Sequence, residues 1–348
     1  MLFNAIGLMS GTSLDGLDIC HVQFRKEETS WKFEILNAET FSYPEEWEQR
    51  LRNSIKLSAE DLFQLNSDYG FYLGEQVKLF TEKFSLNNIV VVASHGHTVF
   101  HQPQKKFTVQ IGDGRAIKIV TGLPVVYDFR SQDVLMGGNG APLVPIGDEL
   151  LFSEFDACLN IGGFSNISFK TDGKRFAFDI CPVNIVLNQL AQNLGMKYDN
   201  NGEIAKSGTI NSLILGELNS LEFYKNSKPK SLGVEWVKEN ILPQFGSEST
   251  ENLLATFTEH ASDQIAKTLN ELSLKKILFT GGGTYNSHLV NRIREKTATE
   301  IIIPDSRIIN FKEALIFAFM GVLRISGENN VLCSATGSSH DHSSGIIA

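Results

Sequence analysis

The 348-residue chain has only four cysteines, Cys20, Cys158, Cys181 and Cys333, and no two of them form a CxxC pair. Such spacing offers neither a zinc cage nor a disulfide framework, and a reducing, cytoplasmic compartment is the expectation. Basic side chains are also in short supply: 31 Lys and Arg stand against 40 Asp and Glu, a formal charge of −9. A nucleic-acid or anionic-membrane partner would demand a basic face, so neither is expected. A small phosphorylated ligand stays open, because backbone amides and a metal can hold one locally. Long apolar runs are missing too. The strongest near the end, Ala314–Leu323 between Glu313 and Arg324, is too short for a membrane span and reads as a buried helix. Met1–Ser13 has neither the basic start nor the unbroken apolar stretch of a signal peptide.

What remains is a globular composition, 42% apolar and 20% charged, long enough for two domains. No low-complexity linker or short repeat interrupts it. A strand followed by a glycine turn recurs instead. Asn4–Met9 reads as a strand, Ser10–Gly16 as a tight turn and Leu17–Phe24 as the returning strand, a hairpin and not the strand–loop–helix of a Walker P-loop. Helical patterning covers Glu45–Ile55 and Ala59–Phe84, and Ile89–Ala93 has the β-branched character of a buried strand. A second hairpin is expected from Asp156–Ile161, Gly162-Gly163 and Asn166–Phe169. Leu254, Phe257, Ala261, Ile265, Leu269 and Leu272 then recur at helical spacing. The strand Lys276–Thr280 leads into Gly281-Gly282-Gly283, with a helix from about Asn286. Two halves, each opening on a glycine-turned hairpin, predict an α/β protein of two lobes with a cleft between them.

The first turn, Gly11 to Asp18, carries the groups that would hold a phosphate. Glycine admits close backbone N–H donors, and Thr12 and Ser13 add hydroxyls. The carboxylate of Asp15 would repel a bare phosphate but suits a Mg²⁺ ion set between them. A decorated β-turn uses the same residues for local backbone reasons, so this segment alone leaves both readings open. The turn Asn160–Asn166 has the same ambiguity and gains weight by pairing with the first. Gly281-Gly282-Gly283 would let a flat ring slide against bare backbone, or would simply serve a helix entry.

Taken in order, these segments resemble the 1,6-anhydro-N-acetylmuramic acid kinase family of the actin/hexokinase/Hsp70 ATPase superfamily. The resemblance runs through Gly7–Gly16, Ser94-His95-Gly96-His97-Thr98, Gln110–Gly114, Asp128-Phe129-Arg130, Gly137–Leu143, Ile161-Gly162-Gly163 and Phe178-Asp179. It continues in Tyr198-Asp199 with Gly202, Lys230-Ser231 with Gly233, Gly281–Asn286 and Glu313-Ala314. It implies a two-lobed actin-like ATPase (ribonuclease H-like) fold with an interlobe cleft, lobe one at 1–129 plus 332–348 and lobe two at 130–331. It also implies an enzyme that opens the 1,6-anhydro bridge with water and phosphorylates O6 from ATP, in peptidoglycan recycling. Asp179 would be the general base. Gly11, Thr12, Ser13, Leu14, Asp15, Gly16, Leu17, Asp18, Gly162, Gly163, Asn166, Gly281, Gly282, Gly283 and Asn286 would hold ATP, with Asp15 toward Mg²⁺. His95, His97, Thr98, Arg130 and Asn184 would face the sugar. Arg130 would grip the lactyl carboxylate bidentately, or else pair with Asp128 or Asp133. A homodimer is the family expectation, and His101, beside Pro103, reads as a surface histidine on a loop.

The match departs from the family on the sugar side. The usual Thr-Gly-Pro-Gly-Asn run after the aspartate is Ile180-Cys181-Pro182-Val183-Asn184 here. His97 replaces the common glutamine, and Val234 an arginine. Cys181 reads as a small buried side chain in place of glycine. The chain is expected to be a divergent branch. A kinase of the same mechanism for another amino sugar, and a non-catalytic nucleotide-binding regulator, stand as alternatives.

Overall fold

The structure is a computed structural model that describes residues 1–11, 14, 16–28, 30–225 and 231–348. Its strands are β1 (Leu2–Ser10), β2 (Leu17–Lys26), β3 (Trp31–Phe41), β4 (Ile89–Ser94), β5 (His97–Gln102), β6 (Phe107–Ile111), β7 (Val125–Tyr127), β8 (Ala157–Ile161), β9 (Phe164–Thr171), β10 (Lys174–Pro182), β11 (Lys276–Thr280), β12 (Glu300–Ile302) and β13 (Ile346–Ile347). They form one sheet ordered β13-β7-β4-β1-β2-β3, another ordered β10-β9-β8-β11-β12, and the separate hairpin β5-β6. In the first sheet β1 and β2 are antiparallel, with Ser10 opposite Leu17, while β4 runs parallel to β1 and β7. The second sheet repeats the scheme, β8–β9 and β9–β10 antiparallel and β8–β11–β12 parallel. Both expected hairpins and the α/β class are therefore present.

The chain packs as two compact units, residues 1–153 with 311–348 and residues 154–310. The expected lobes, 1–129 plus 332–348 and 130–331, assigned 130–153 and 311–331 to the second half; both segments pack in the first unit instead. The reason is steric. A Cβ on Gly7 of β1 would lie 1.8 Å from the carbonyl oxygen of Ala314, and one on Gly321 would lie 2.7 Å from Cβ of Ala93 in β4. Bare glycine at both places lets the apolar helix Ser306–Ile325 lie directly on the first sheet. Gly147 approaches Ile316 as closely, and Lys312 forms a buried 2.7 Å ion pair with Asp148.

Local signals set most element bounds. Ser58 and Ser249 accept the Asp61 and Asn252 N–H groups and so start the helices Ala59–Lys83 and Thr250–Glu271. The second of these buries Leu254, Phe257, Ala261, Ile265 and Leu269. The last segment, without pattern in the sequence, supplies β13 against β7. His101 is exposed as expected but lies in β5, not on a loop, with Nδ1 3.1 Å from the Thr108 hydroxyl. Among the described residues no helix is long and apolar enough to cross a membrane.

Candidate active site

In the second unit the glycine turn and the expected base are tied together by backbone. The first N–H groups of a helix have no partner within it. For the helix Asn184–Asn193 the turn supplies them: Gly163 accepts the N–H of Val183 (2.8 Å) and Ile185 (3.2 Å), and Gly162 that of Asn184 (3.2 Å). Strand β10 enters this junction with Asp179 opposite Asn166, and a bulge separates Asp179 from Cys181. Asp179 is half-buried, and its Oδ2 accepts the Leu232 N–H at 2.8 Å. Burial raises the carboxyl above the usual carboxylate range, and the Leu232 amide partly opposes this. A carboxylate so raised is a better proton acceptor near neutral pH than an ordinary aspartate.

The triple glycine abuts the same turn. Gly281 has φ 84°, and a Cβ there would lie 2.5 Å from Asn160 Oδ1; one on Gly283 would lie 2.2 Å from Ile161 Cγ2. A Cβ on Gly282 would meet nothing within 4 Å, and that residue is exposed. So Gly281 and Gly283 are bare because β8 passes close, and Gly282 leaves a bare surface. Asn286 Oδ1 accepts the Leu289 N–H and caps the helix Ser287–Arg294. Asn166 is exposed, and Asn184 Nδ2 donates to the Ile161 carbonyl at 3.5 Å.

In the first unit Thr12, Ser13 and Asp15, the proposed Mg²⁺ contact included, lie outside the described residues, as does Lys230. Around them, the Leu14 N–H donates to Gly11 at 3.3 Å. Leu14 has φ 59°, a left-handed conformation that costs a branched side chain about 1–2 kcal/mol. Its side chain is packed in the core with Leu17, so both would serve a ligand through backbone. Gly16 (φ 152°) has no room for a Cβ, which would sit 2.8 Å from the Phe41 carbonyl oxygen. Asp18 accepts the Thr40 hydroxyl at 2.6 Å. Ser10, just before the turn and unmarked by any motif, accepts the hydroxyls of Tyr43 (2.8 Å) and Tyr69 (2.9 Å). A serine at the end of a strand carries no signal of which side chains will reach it.

His95 and Arg130 come together at the C-terminal end of β4. Arg130 Nε–H donates to His95 Nε2 at 2.9 Å, and its Nη1 donates to the Gly140 carbonyl at 2.5 Å. Its hydrogen bonds therefore go to His95 and Gly140, not to Asp128 or Asp133. Asp133 instead accepts the Gly140 N–H and the Thr336 hydroxyl, both at 2.7 Å, and Asp128 the Ser131 N–H. Desolvation pushes Arg130 down to about 10 against the pull of Glu313 and Asp133. Glu313, solvent-accessible but crowded by protein, is raised by that desolvation; Arg130 opposes the rise and Asp18 adds to it. Arg130, Glu313 and Asp18 thus form one electrostatic group. His97 is buried, its Nδ1 has no hydrogen-bond partner among the described residues, and burial pushes it down to about 4. Thr98 accepts the Gln110 amide at 3.3 Å.

The departures from the family run are accommodated by packing. Cys181 is fully buried at the bulge, where the Ser165 hydroxyl donates to its carbonyl (3.1 Å) and accepts its N–H (3.3 Å). Val183, also fully buried, has φ −134°, so the left-handed conformation that would require glycine is not used here.

A family model described as anhydro-N-acetylmuramic acid kinase matches residues 3–348. The chain belongs to this family. It is 33% identical to the anhydro-N-acetylmuramic acid kinase of Haemophilus influenzae, over 98% of this chain and 97% of that one. Against the anhydro-N-acetylmuramic acid kinase of Francisella tularensis subsp. novicida the identity is 31%, over 95% of each. A ROK family glucokinase from Streptomyces griseus, solved with glucose and AMPPNP, shares 12% identity over 92% of this chain and 99% of that one. The TM-score of that pair is 0.42. Membership in the anhydro-N-acetylmuramic acid kinase family makes the chain an ATP-dependent carbohydrate kinase.

Proposed function

We propose that this kinase opens the 1,6-anhydro bridge of anhydro-N-acetylmuramic acid with water and phosphorylates O6, giving N-acetylmuramic acid 6-phosphate in peptidoglycan recycling. Asp179 takes a proton from the attacking water as oxygen bonds to C1. The C1–O6 bond breaks, and O6 displaces ADP from the γ-phosphorus. Phosphoryl transfer needs positioning and charge stabilisation more than covalent help. The backbone of Gly162 and Gly163 and of the turn from Gly11 to Asp18 serves that need, and Gly281–Gly283 borders the adenosine. Arg130 holds the lactyl carboxylate. Mg²⁺, when bound, would neutralise phosphate charge, and the carboxylates of Asp18 and Glu313, which act on one another electrostatically, would offer the oxygen ligands such an ion prefers. The reaction belongs to the cytoplasm, with a homodimer as the family's expected assembly.

The observation that carries this reading is the backbone link between the Gly162-Gly163 turn and the segment after Asp179. It holds the Gly162-Gly163 turn and the segment after Asp179 in one unit, which supports a reading in which that turn and the base act together. The test is incubation with ATP, Mg²⁺ and the anhydro-sugar in H₂¹⁸O. The expected product carries the label at C1 and phosphate at O6. Its absence alongside turnover of another amino sugar would reject this substrate. ATP binding indifferent to every sugar, with a functionally silent Asp179→Asn, would favour a regulator instead.

A further inference from the structure

The Leu232 N–H that meets Asp179 comes from 53 residues along the chain. Leu232 stands two residues before the helix Val234–Asn240, so whatever sets that helix sets the amide. Ring packing does so. Trp236, on the first turn of the helix, lies 5.1 Å from Phe223 and 6.2 Å, edge-on, from Tyr224. Phe223 and Tyr224 cross at 87° with centroids 5.4 Å apart. Tyr224 is anchored in turn. Asn219 donates its amide to Asp263, which leaves its Oδ1 as the acceptor for His260 Nδ1–H at 2.7 Å. His260 Nε2 is then an acceptor, and the Tyr224 hydroxyl donates to it at 2.9 Å. His260 is completely buried in the helix Thr250–Glu271. The side chains of Leu232 and Trp236 both pack against the core of the second unit.

We propose that Phe223, Tyr224 and Trp236 form an aromatic clasp that positions the base by holding the Leu232 N–H on Asp179. The clasp touches no reactant, and its role in the reaction rests on Asp179 being the base. The amide occupies Oδ2, which leaves Oδ1 as the oxygen for water. It also favours the charged carboxylate against the desolvation that surrounds it. The cross-strand neighbour of Asp179 is the uncharged Asn166.

The experiment compares Trp236→Ala with Trp236→Phe in the full chain, with Phe223→Leu in reserve should the first fail to fold. One readout needs no turnover: the amide resonance of Leu232, followed by NMR against pH, should titrate with Asp179. That titration should persist in Trp236→Phe and vanish in Trp236→Ala. The second is the pH profile of kcat/KM with the anhydro-sugar. Its acid limb should move up by about one pH unit in Trp236→Ala and stay in place in Trp236→Phe. A Leu232 amide that titrates alike in wild type and Trp236→Ala, or not at all in wild type, overturns the clasp while leaving the kinase reading intact. An amide that responds as expected in an enzyme inert toward the anhydro-sugar supports the clasp and rejects that substrate.

Discussion

Arg130 donates its Nε–H to Nε2 of His95 at 2.9 Å, and this contact fixes the histidine's tautomer. A guanidinium has no acceptor, so Nε2 must be unprotonated and Nδ1 carries the proton toward the Gly96 carbonyl 2.8 Å away. Burial first and Arg130 second hold His95 well below the usual imidazole range, so it stays the neutral acceptor that Arg130 needs. With both ring nitrogens engaged, His95 would act on a ligand only through Arg130. His95→Phe should raise the sugar KM about tenfold with a smaller effect on kcat, because the guanidinium loses its fixed orientation. Arg130→Lys should cost about ten- to a hundredfold in kcat/KM, since an ammonium lacks the planar fork. Steady-state kinetics decide the matter: an unchanged sugar KM in both variants would remove Arg130 from the sugar site.

The three consecutive glycines should separate by position. Gly281→Ala meets a positive φ and the Asn160 side chain, and Gly283→Ala meets Ile161. Each should lower stability by about 1–3 kcal/mol. Gly282→Ala finds open space and should leave the melting temperature within a degree or two, yet raise the KM for ATP by placing a methyl on the face proposed for the adenosine. Thermal melts with and without nucleotide check all three, and a Gly282→Ala enzyme with normal ATP kinetics would move the adenosine elsewhere.

Signals legible in the sequence are those that act within a few residues. Lys276–Thr280 is a strand with the expected bounds, and the apolar positions from Leu254 to Leu269 face inward, because period and punctuation are local properties. The site is assembled differently. Leu232 reaches Asp179, His95 reaches Arg130, and Tyr43 and Tyr69 meet Ser10 only after the sheets form. The unit boundary was hidden for the same reason: Gly7 looks like any strand glycine until the carbonyl of Ala314 is placed against it. Asp179 itself could be named from its motif, but its raised carboxyl is a product of burial, which no motif states.

Buried histidines should make the fold acid-sensitive. His95 is held well below 6.5, His97 is pushed down to about 4 and His260 to about 3, each chiefly by desolvation. In the unfolded chain they take protons near pH 6.5. Between that value and about pH 4 the unfolded state therefore binds more protons, and stability falls as pH falls, by at most about 1.4 kcal/mol per histidine per pH unit. The raised carboxyls of Asp179 and Glu313 act with the opposite sign, but the lowered histidines, with His21, His101 and His288 added, outnumber them. Urea midpoints should be nearly level above pH 7 and decline from about 6.5 downward. A level midpoint to pH 5 would mean that these rings are protonated inside the fold.

The substituted run after the base gives a prediction of its own. Val183 stands where the family has glycine, is fully buried, and sends its N–H to Gly163 while its carbonyl accepts the Leu187 N–H of the following helix. Those backbone bonds would survive in glycine, but the valine side chain also packs in the core of the second unit, at the junction between the Gly162-Gly163 turn and the segment after Asp179. Val183→Gly restores the family residue but removes that packing, at about 2–3 kcal/mol for a buried valine with the cavity it leaves. The melting temperature should fall, and kcat/KM should fall with it because the turn loosens relative to Asp179. Cys181→Ala, by contrast, should keep turnover, since the Ser165 hydroxyl bridges the bulge through the backbone of residue 181 and not through its sulfur alone. Higher turnover of the anhydro-sugar by Val183→Gly would mean that the valine obstructs the sugar, and that the branch has been tuned toward a smaller acceptor.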